Sequence, residues 1–329
     1  MKKVAINGFG RIGRTFLRVA FGDPELEIVA VNDPQFKAEM ARYLLVHDSI
    51  YGRFNGDVCV AGDGLEIDGK PVRFYAEWEP KELPWDEIDL VIESTGVFLE
   101  PEKAALHLQA GAKRVLLSAP PKKGDDILQV VYGVNHDAIE PGMEIVSAAS
   151  CTTNSFVPVM YVLETEIGVE HALLTTVHGY TGDQRLVDAP HSKPSRARSA
   201  AINIVPTTTG AALATTEILP SLTGKMDGIA FRVPVATGSV SDVTVELARD
   251  VTKDEIHRLL RRYAGGDLAG ILGVSEDPVV SSDVIGDDRP SVVDLTMTRV
   301  VDGRFLKVVA FYDNEWGYAN QLLRVARLL

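Results

Sequence analysis

The nine residues INGFGRIGR, Ile6 to Arg14, constrain the fold more than any other stretch of this chain. Gly8, Gly10 and Gly13 keep the G-x-G-x-x-G spacing directly after the apolar run KKVAIN. They open a segment in which Ile12, Phe16, Val19 and Ala20 share one helical face. A strand that turns on glycines into a helix begins a βαβ unit. The first two glycines let the backbone turn tightly and approach an anion, the third lets helix pack on strand, and the helix N-terminus supplies N–H donors. Asp33 follows twenty residues after Gly13, at the end of the second apolar run. A carboxylate there accepts from a ribose 2′-hydroxyl and repels a 2′-phosphate, so the segment predicts a dinucleotide site favouring NAD over NADP.

The rest of the first half keeps the same alternation. LEIVAVND, DLVIEST, KRVLLSA, VVYGV and MEIVSAA read as buried strands, and EPEKAALHLQAGA reads as a helix with Pro101 near its start and Gly111 near its end. Strands alternating with helices imply a Rossmann-type, doubly wound parallel sheet over residues 1–150. Beyond it the texture changes. HALLTTVHGY, MDGIAFRVPV, VSDVTVELA, SVVDLTMTRVV and RFLKVVAFYD read as longer strands, several alternating, and TKDEIHRLLRRYAGG reads as a helix capped by Thr252. Residues 151–314 are therefore an α+β domain with a mostly antiparallel sheet. Between His178 and Ala212 lies a long polar stretch rich in turn residues, and loops of that length in compact domains are often functional. The terminal segment YANQLLRVARLL is an amphipathic helix.

Bulk properties narrow the function. A net charge of −13 argues against general affinity for nucleic acid or anionic membranes, so a small anionic substrate needs its own local donors. No apolar stretch approaches the roughly 20 residues that cross a bilayer, and the N-terminus turns to glycine too soon for a signal peptide. Two cysteines form no disulfide framework, and seven scattered histidines lack metal-ligand spacing. These features place the protein in the cytoplasm, with no metal.

Of the two cysteines, Cys59 sits among branched apolar residues in DVCVAG and reads as hidden, whereas Cys151 opens a helix in EIVSAASCTTNSFVPVM. A thiol titrates near pH 8.5 and is weakly nucleophilic at neutrality unless a helix dipole or an imidazolium lowers its pKa. The strand-to-helix junction makes Cys151 the candidate nucleophile. Pro158 falls deep inside that helix, where a proline ordinarily kinks the chain. Among the histidines, His107 and His257 lie on helices as solvated or packed faces. His178 ends a strand where it meets the long loop, a position suited to a catalytic base, with His191 and His47 as competitors.

With turn and thiol in view, the chain resembles the phosphorylating glyceraldehyde-3-phosphate dehydrogenases. HDSIYGRF, ESTGVF, GAKRVLLSAP, ASCTTN, TTVHGYTGDQ, PTTTGAA, FRVPV and NEWGYAN match family segments in order, and ASCTTN and NEWGY are highly specific. The resemblance implies Cys151 as nucleophile and His178 as the residue that activates it and relays protons. It implies backbone contacts from Arg11 and Ile12 to a pyrophosphate, Asp33 on the adenosine ribose, Ser118 as a wall of the cofactor site, and Asn314 on the nicotinamide amide. Ser150, Thr152, Thr181, Arg196, Thr209, Gly210 and Arg232 would form two anion sites, for a substrate phosphate and for inorganic phosphate. A homotetramer and a terminal helix, 315–329, returning to the first domain are also implied. The chain departs from the family pattern at Trp78, Ala148, Gly179, Ala189 and Leu213, which leaves erythrose-4-phosphate oxidation, arsenate as acceptor, or a non-catalytic NAD-binding regulator as alternatives.

Overall fold

The computed structural model describes residues 1–122 and 127–329. They form two compact units, the first made of Met1–Tyr132, His136–Ala149 and Ala319–Leu329, the second of Gly133–Asn135 and Ser150–Tyr318.

Branched apolar runs buried on both faces dictate the first unit: Val4, Ala5, Ile6, Leu90, Val91 and Ile92 are fully buried. Each large side chain so buried contributes about 1.5–3 kcal/mol. The sheet runs in the spatial order Leu128–Gln129, Ile145–Ser147, Val115–Leu117, Leu90–Glu93, Lys2–Asn7, Leu26–Asn32, Lys70–Tyr75, Gly64–Ile67 and Val58–Ala61. The first seven strands are parallel, as read from the sequence, and the last two add an antiparallel meander. Strand order reverses beside Lys2–Asn7, the kind of switch point at which α/β sheets bind ligands beyond their strands' carboxyl ends. The meander escapes a reading based on apolar runs because its strands are short and broken by Gly and Asp. It also corrects the reading of Cys59. Val58 faces inward, the next residue of a strand must face outward, and Cys59 is exposed opposite Glu66. The run VVYGV is likewise not a strand: the chain pairs only at Leu128–Gln129 and turns at Gly133, whose φ of +93° suits glycine.

The second unit is built on the strands Val205–Thr208, Met226–Val233, Val169–Gly179, Ser239–Leu247, Phe305–Tyr312, Ser291–Asp294 and Leu272–Ser275, in that spatial order. The pairings of Val169–Gly179 with Met226–Val233 and of Leu272–Ser275 with Ser291–Asp294 are parallel, and the other neighbours run antiparallel. Ser239–Leu247 alternates strictly between buried and half-buried residues, the mark of a sheet with one covered face. SVVDLTMTRVV does not form one strand. The Asp294 side chain accepts from Thr296 N at 2.8 Å and starts a 3-10 turn, Leu295–Met297, before the edge strand Arg299–Val301. Thr252 caps the helix Lys253–Ala264 through Glu255 N at 3.2 Å, as the sequence indicates. The helix Cys151–Glu166 runs on through Pro158, and its residues Phe156, Val157, Val159 and Met160 are fully buried. Packing on that scale outweighs one lost hydrogen bond. Among the described residues no helix is long and apolar enough to cross a membrane.

Candidate active site

The glycine turn is shaped by close approach. Gly8 has φ +94°, and a Cβ there would meet Thr95 N at 2.7 Å; a Cβ on Gly13 would meet Gly8 O at 2.1 Å. Nothing lies within 4 Å of a Cβ built on Gly10, which is also the uncapped start of the helix Arg11–Ala20. The turn is thus tight where it packs and open over the helix N-terminus, a cradle suited to a pyrophosphate. Arg11 turns its guanidinium to Asp48, so at this turn it offers backbone. Ile12 follows in the first helical turn, and Ser118 lies half-buried just past Val115–Leu117, its N–H on Glu93 O at 2.9 Å. Asp33 is held by two backbone donors, Phe9 N at 2.8 Å and Gln35 N at 3.0 Å. These residues fit the dinucleotide.

Behind the turn is a buried polar network that sequence reading missed. Glu93 Oε2 accepts from Asn7 Nδ2 at 2.6 Å and lies 3.1 Å from His107 Nε2, while Thr95 N donates to Oε1 at 2.8 Å. His107 is fully buried, not solvated, and its Nδ1 accepts from Trp85 Nε1 at 3.2 Å, which leaves Nε2–H to donate to Glu93. Asn32 Nδ2 donates to Asn7 Oδ1 at 2.7 Å. The ends of three adjacent strands are therefore locked together just below Gly8 and Asp33.

In the second unit the nucleophile helix begins at Cys151, with Ser150 as N-cap accepting from Thr153 N at 3.0 Å. Ala149 precedes it at φ +55°, a left-handed conformation costing about 1–2 kcal/mol that makes the chain turn sharply into the helix. Cys151 Sγ lies 3.4 Å from His178 Nε2. The other ring nitrogen, Nδ1, is 2.6 Å from Gly179 O, and a carbonyl can only accept, so Nδ1 carries the proton and Nε2 faces the thiol with its lone pair. His191 and His47 are elsewhere: His191 pairs with Asp183 at 3.3 Å, and His47 packs on Tyr43. Of the three sequence candidates, His178 alone meets Cys151.

Electrostatics differ from the sequence expectation of a lowered thiol pKa. Burial pushes the Cys151 thiol up, with Arg232 opposing, and burial with Arg232 pushes His178 down to about 3. Each group alone favours its neutral form. The ion pair is recovered only through mutual attraction, about 5 kcal/mol for unit charges at this spacing in an effective dielectric of ~20. The arrangement is a thiol with its base in place, to be ionised by transfer within the pair.

Around it stand the anion-binding candidates. Arg232 Nη1 donates to Thr181 Oγ1 at 3.1 Å and to Gly179 O at 3.3 Å, and burial lowers its pKa, with Arg196 adding to the effect. Arg196 Nε donates to Thr207 Oγ1 at 3.1 Å while Nη1 pairs with Asp183. Thr152 Oγ1 is 2.9 Å from the buried Tyr312 OH, which also meets Thr176 Oγ1 at 3.0 Å. Thr209 and Gly210 belong to a second group, at the start of Ala211–Ile218, where Thr209 Oγ1 accepts from Ala211 N at 3.2 Å. Val205 pairs with Arg232 and Thr208 with Ile229, so Arg232 and Thr209 belong to opposite ends of this strand pairing, while Arg196 reaches Thr207, two residues before Thr209. Asn314 Oδ1 accepts from Ser239 Oγ at 2.8 Å. Asp183, Tyr312 and Ser239 are additions to the sequence reading. Asp183 was visible as the one acid in the loop segment TGDQ, while Tyr312 and Ser239 are ordinary strand residues that only register brings to the site. Among the described residues no group of His, Cys, Asp and Glu is placed to hold a metal.

Residues 2–101 match the model of the glyceraldehyde 3-phosphate dehydrogenase NAD binding domain, and residues 150–314 match that of the C-terminal domain of the same enzyme. Among curated proteins, the chain is 50% identical over 333 residues to the glyceraldehyde-3-phosphate dehydrogenase of Kitasatospora aureofaciens, covering 100% of this chain and 99% of the relative. It is 47% identical to glyceraldehyde-3-phosphate dehydrogenase 2 of Streptomyces avermitilis, covering 98% and 96%, and 47% identical to the Geobacillus stearothermophilus enzyme, covering 98% and 97%.

Proposed function

The chain belongs to the glyceraldehyde-3-phosphate dehydrogenase family of NAD-dependent oxidoreductases, and on that premise we propose that it converts D-glyceraldehyde 3-phosphate and inorganic phosphate to 1,3-bisphosphoglycerate. The observation that carries the reading is the 3.4 Å approach of Cys151 Sγ to a His178 nitrogen whose tautomer is fixed by Gly179 O. His178 Nε2 takes the thiol proton as Sγ adds to the aldehyde carbon, and the proton returns to the oxygen of the hemithioacetal. His178 then takes that hydroxyl proton as the carbon loses hydride and a thioester forms on Cys151. NAD, when bound, supplies the hydride acceptor. Phosphate attack on the thioester releases the acyl phosphate and returns the thiolate beside His178. A sulfur ester is needed, because an oxygen ester on serine would be too unreactive to pass its acyl group to phosphate. Arg232 with Thr181, and Arg196 with Thr207, offer paired donors for the substrate's phosphate; Ser150, Thr152, Thr209 and Gly210 are assigned to the attacking phosphate.

Assembly as a homotetramer is part of the same reading, supported by apolar side chains left exposed in the second unit, among them Leu173, Ile202, Ile204 and Ile229. So is a cytoplasmic setting, where Cys151 stays reduced. Initial rates crossing triose and tetrose phosphates, NAD and NADP, and phosphate and arsenate test the proposal. The expected result is highest kcat/KM with the triose, NAD and phosphate, and loss of turnover without loss of NAD affinity in Cys151→Ser. Turnover surviving in Cys151→Ser, or higher kcat/KM with erythrose 4-phosphate, would overturn it.

A further inference from the structure

The strand Ser239–Leu247 lies between Val169–Gly179, which ends at the base, and Phe305–Tyr312, which leads to Asn314. Val240 pairs with Val177 on one side and Ser239 with Tyr312 on the other, so the first residue of this central strand reaches both neighbours at their functional ends. Ser239 is fully buried. Its Oγ accepts from Gly179 N at 3.1 Å and donates to Asn314 Oδ1 at 2.8 Å. A second hydroxyl, Thr237 Oγ1, lies 3.3 Å from the same Oδ1, but its one proton is better placed for the Asp313 carboxylate at 3.1 Å, so Ser239 is the donor that holds Asn314 Oδ1.

We infer that Ser239 is a positioning residue that fixes Gly179, whose carbonyl orients His178, and at the same time turns the Asn314 amide so that its nitrogen is the atom left to donate to a ligand.

Three features support this. Gly179 has no side chain to restrain it, yet its carbonyl sets the His178 tautomer, so the N–H bond to a buried hydroxyl adds to the hold that Arg232 gives that carbonyl. With Oδ1 of Asn314 taken by the Ser239 hydroxyl, the nitrogen is the part of the amide left for a ligand, and it selects an acceptor such as the carbonyl oxygen of a carboxamide. Finally, the chain enters this strand through Gly238 at φ +87°, where a Cβ would meet Ser281 O at 2.3 Å, so the position of Ser239 is set by close backbone packing. One hydroxyl thereby joins the geometry of the base to that of the Asn314 amide, which rests on the reading of Cys151, His178 and Asn314 given above.

The test needs no turnover. On a Cys59→Ser background, Ser239→Ala is compared with its parent for iodoacetamide alkylation of Cys151 near neutral pH without cofactor. Kd is then measured by fluorescence for NAD and for its 3-acetylpyridine analogue, which keeps the carbonyl and lacks the amide NH2. Alkylation should slow roughly three- to tenfold, and the ratio of analogue Kd to NAD Kd should rise by a similar factor as the freed amide turns its oxygen outward. Thr237→Val, which removes a hydroxyl directed to Asp313 and leaves the Ser239 bonds in place, should leave both the ratio and alkylation unchanged. Unchanged alkylation in Ser239→Ala, or equal weakening of NAD and analogue, overturns the inference. Should Ser239→Ala fail to fold, Ser239→Cys, whose thiol is a weak donor and acceptor, takes its place in both measurements, and alkylation and ratio both equal to the parent's overturn the inference. Persisting turnover in Cys151→Ser would instead remove the catalytic reading and leave these binding results standing.

Discussion

Replacing His178 by Asn tests the claim that Cys151 is ionised by transfer within a pair and not by its own acidity. Asn keeps a polar group near Sγ but cannot accept a full proton at neutral pH. The loss has a ceiling: unit charges 3.4 Å apart attract by about 5 kcal/mol in an effective dielectric of ~20, between three and four decades in rate. Burial, which pushes the thiol up and the imidazole down, takes back part of that, so the net loss belongs within the 10²–10⁴-fold range of general-base catalysis. The assay is the rate of iodoacetamide alkylation against pH, on a Cys59→Ser background because Cys59 is exposed. The wild-type chain should react near neutrality. Because burial and Arg232 hold the imidazole at about 3 in its neutral form, its base function should persist well below pH 6. In His178→Asn the rate should fall by roughly 10²–10³ near neutrality and climb only as the thiol itself titrates, above the ordinary cysteine range. Alkylation of the variant within a few-fold of wild type, or a wild-type profile that rises only in strong alkali, would refute the reasoning.

The glycine turn and the ribose acid offer independent checks. Gly13→Ala places a methyl 2.1 Å from Gly8 O and should lower both Tm and NAD affinity, whereas Gly10→Ala meets no protein atom and should leave Tm unchanged while weakening NAD roughly tenfold or more. Calorimetry and equilibrium binding separate these outcomes, and unimpaired NAD binding in Gly10→Ala would remove the pyrophosphate from that cradle. Asp33→Gly should raise the NADP rate relative to NAD by removing a charge that repels a 2′-phosphate. It should also cost about 1–3 kcal/mol of stability, because Phe9 N and Gln35 N lose their acceptor. Asp33→Asn should gain NADP activity with a smaller loss of Tm, and a wild-type preference for NADP would show that Asp33 does not set the choice.

The parts of this molecule legible in the sequence are those whose physics is local. A glycine turn between an apolar run and an amphipathic helix announces itself because conformation, packing and anion binding all act within nine residues. The Thr252 cap and the strictly alternating strand Ser239–Leu247 are legible for the same reason. What escaped was set by register. Val58–Tyr75 forms a meander because three weak strands find one another, and the outward face of Cys59 follows from a pairing that composition does not reveal. His107 sits on a helix that reads as half-polar, yet its ring ends beneath Asn7 and Glu93, strand ends far off in sequence.

The same distinction explains the active site. Cys151 and His178 were each identifiable by position, one at a helix start and one at a strand end, because reactivity demands such termini. Their pKa values were not, since the helix dipole and imidazole that a sequence suggests compete with a burial that only the folded chain reveals, and burial prevails for each group alone. Reactivity then depends on how exactly the base is held, which passes through Gly179 to Ser239 and through an edge contact of the rings to Tyr312, whose hydroxyl meets Thr152 and Thr176. These supporting residues are a serine, a glycine, two threonines and a tyrosine, types abundant in any sheet. Their importance lies in occupying adjacent strands at one level, so substitutions there should alter chemistry while leaving every recognisable motif in the sequence intact.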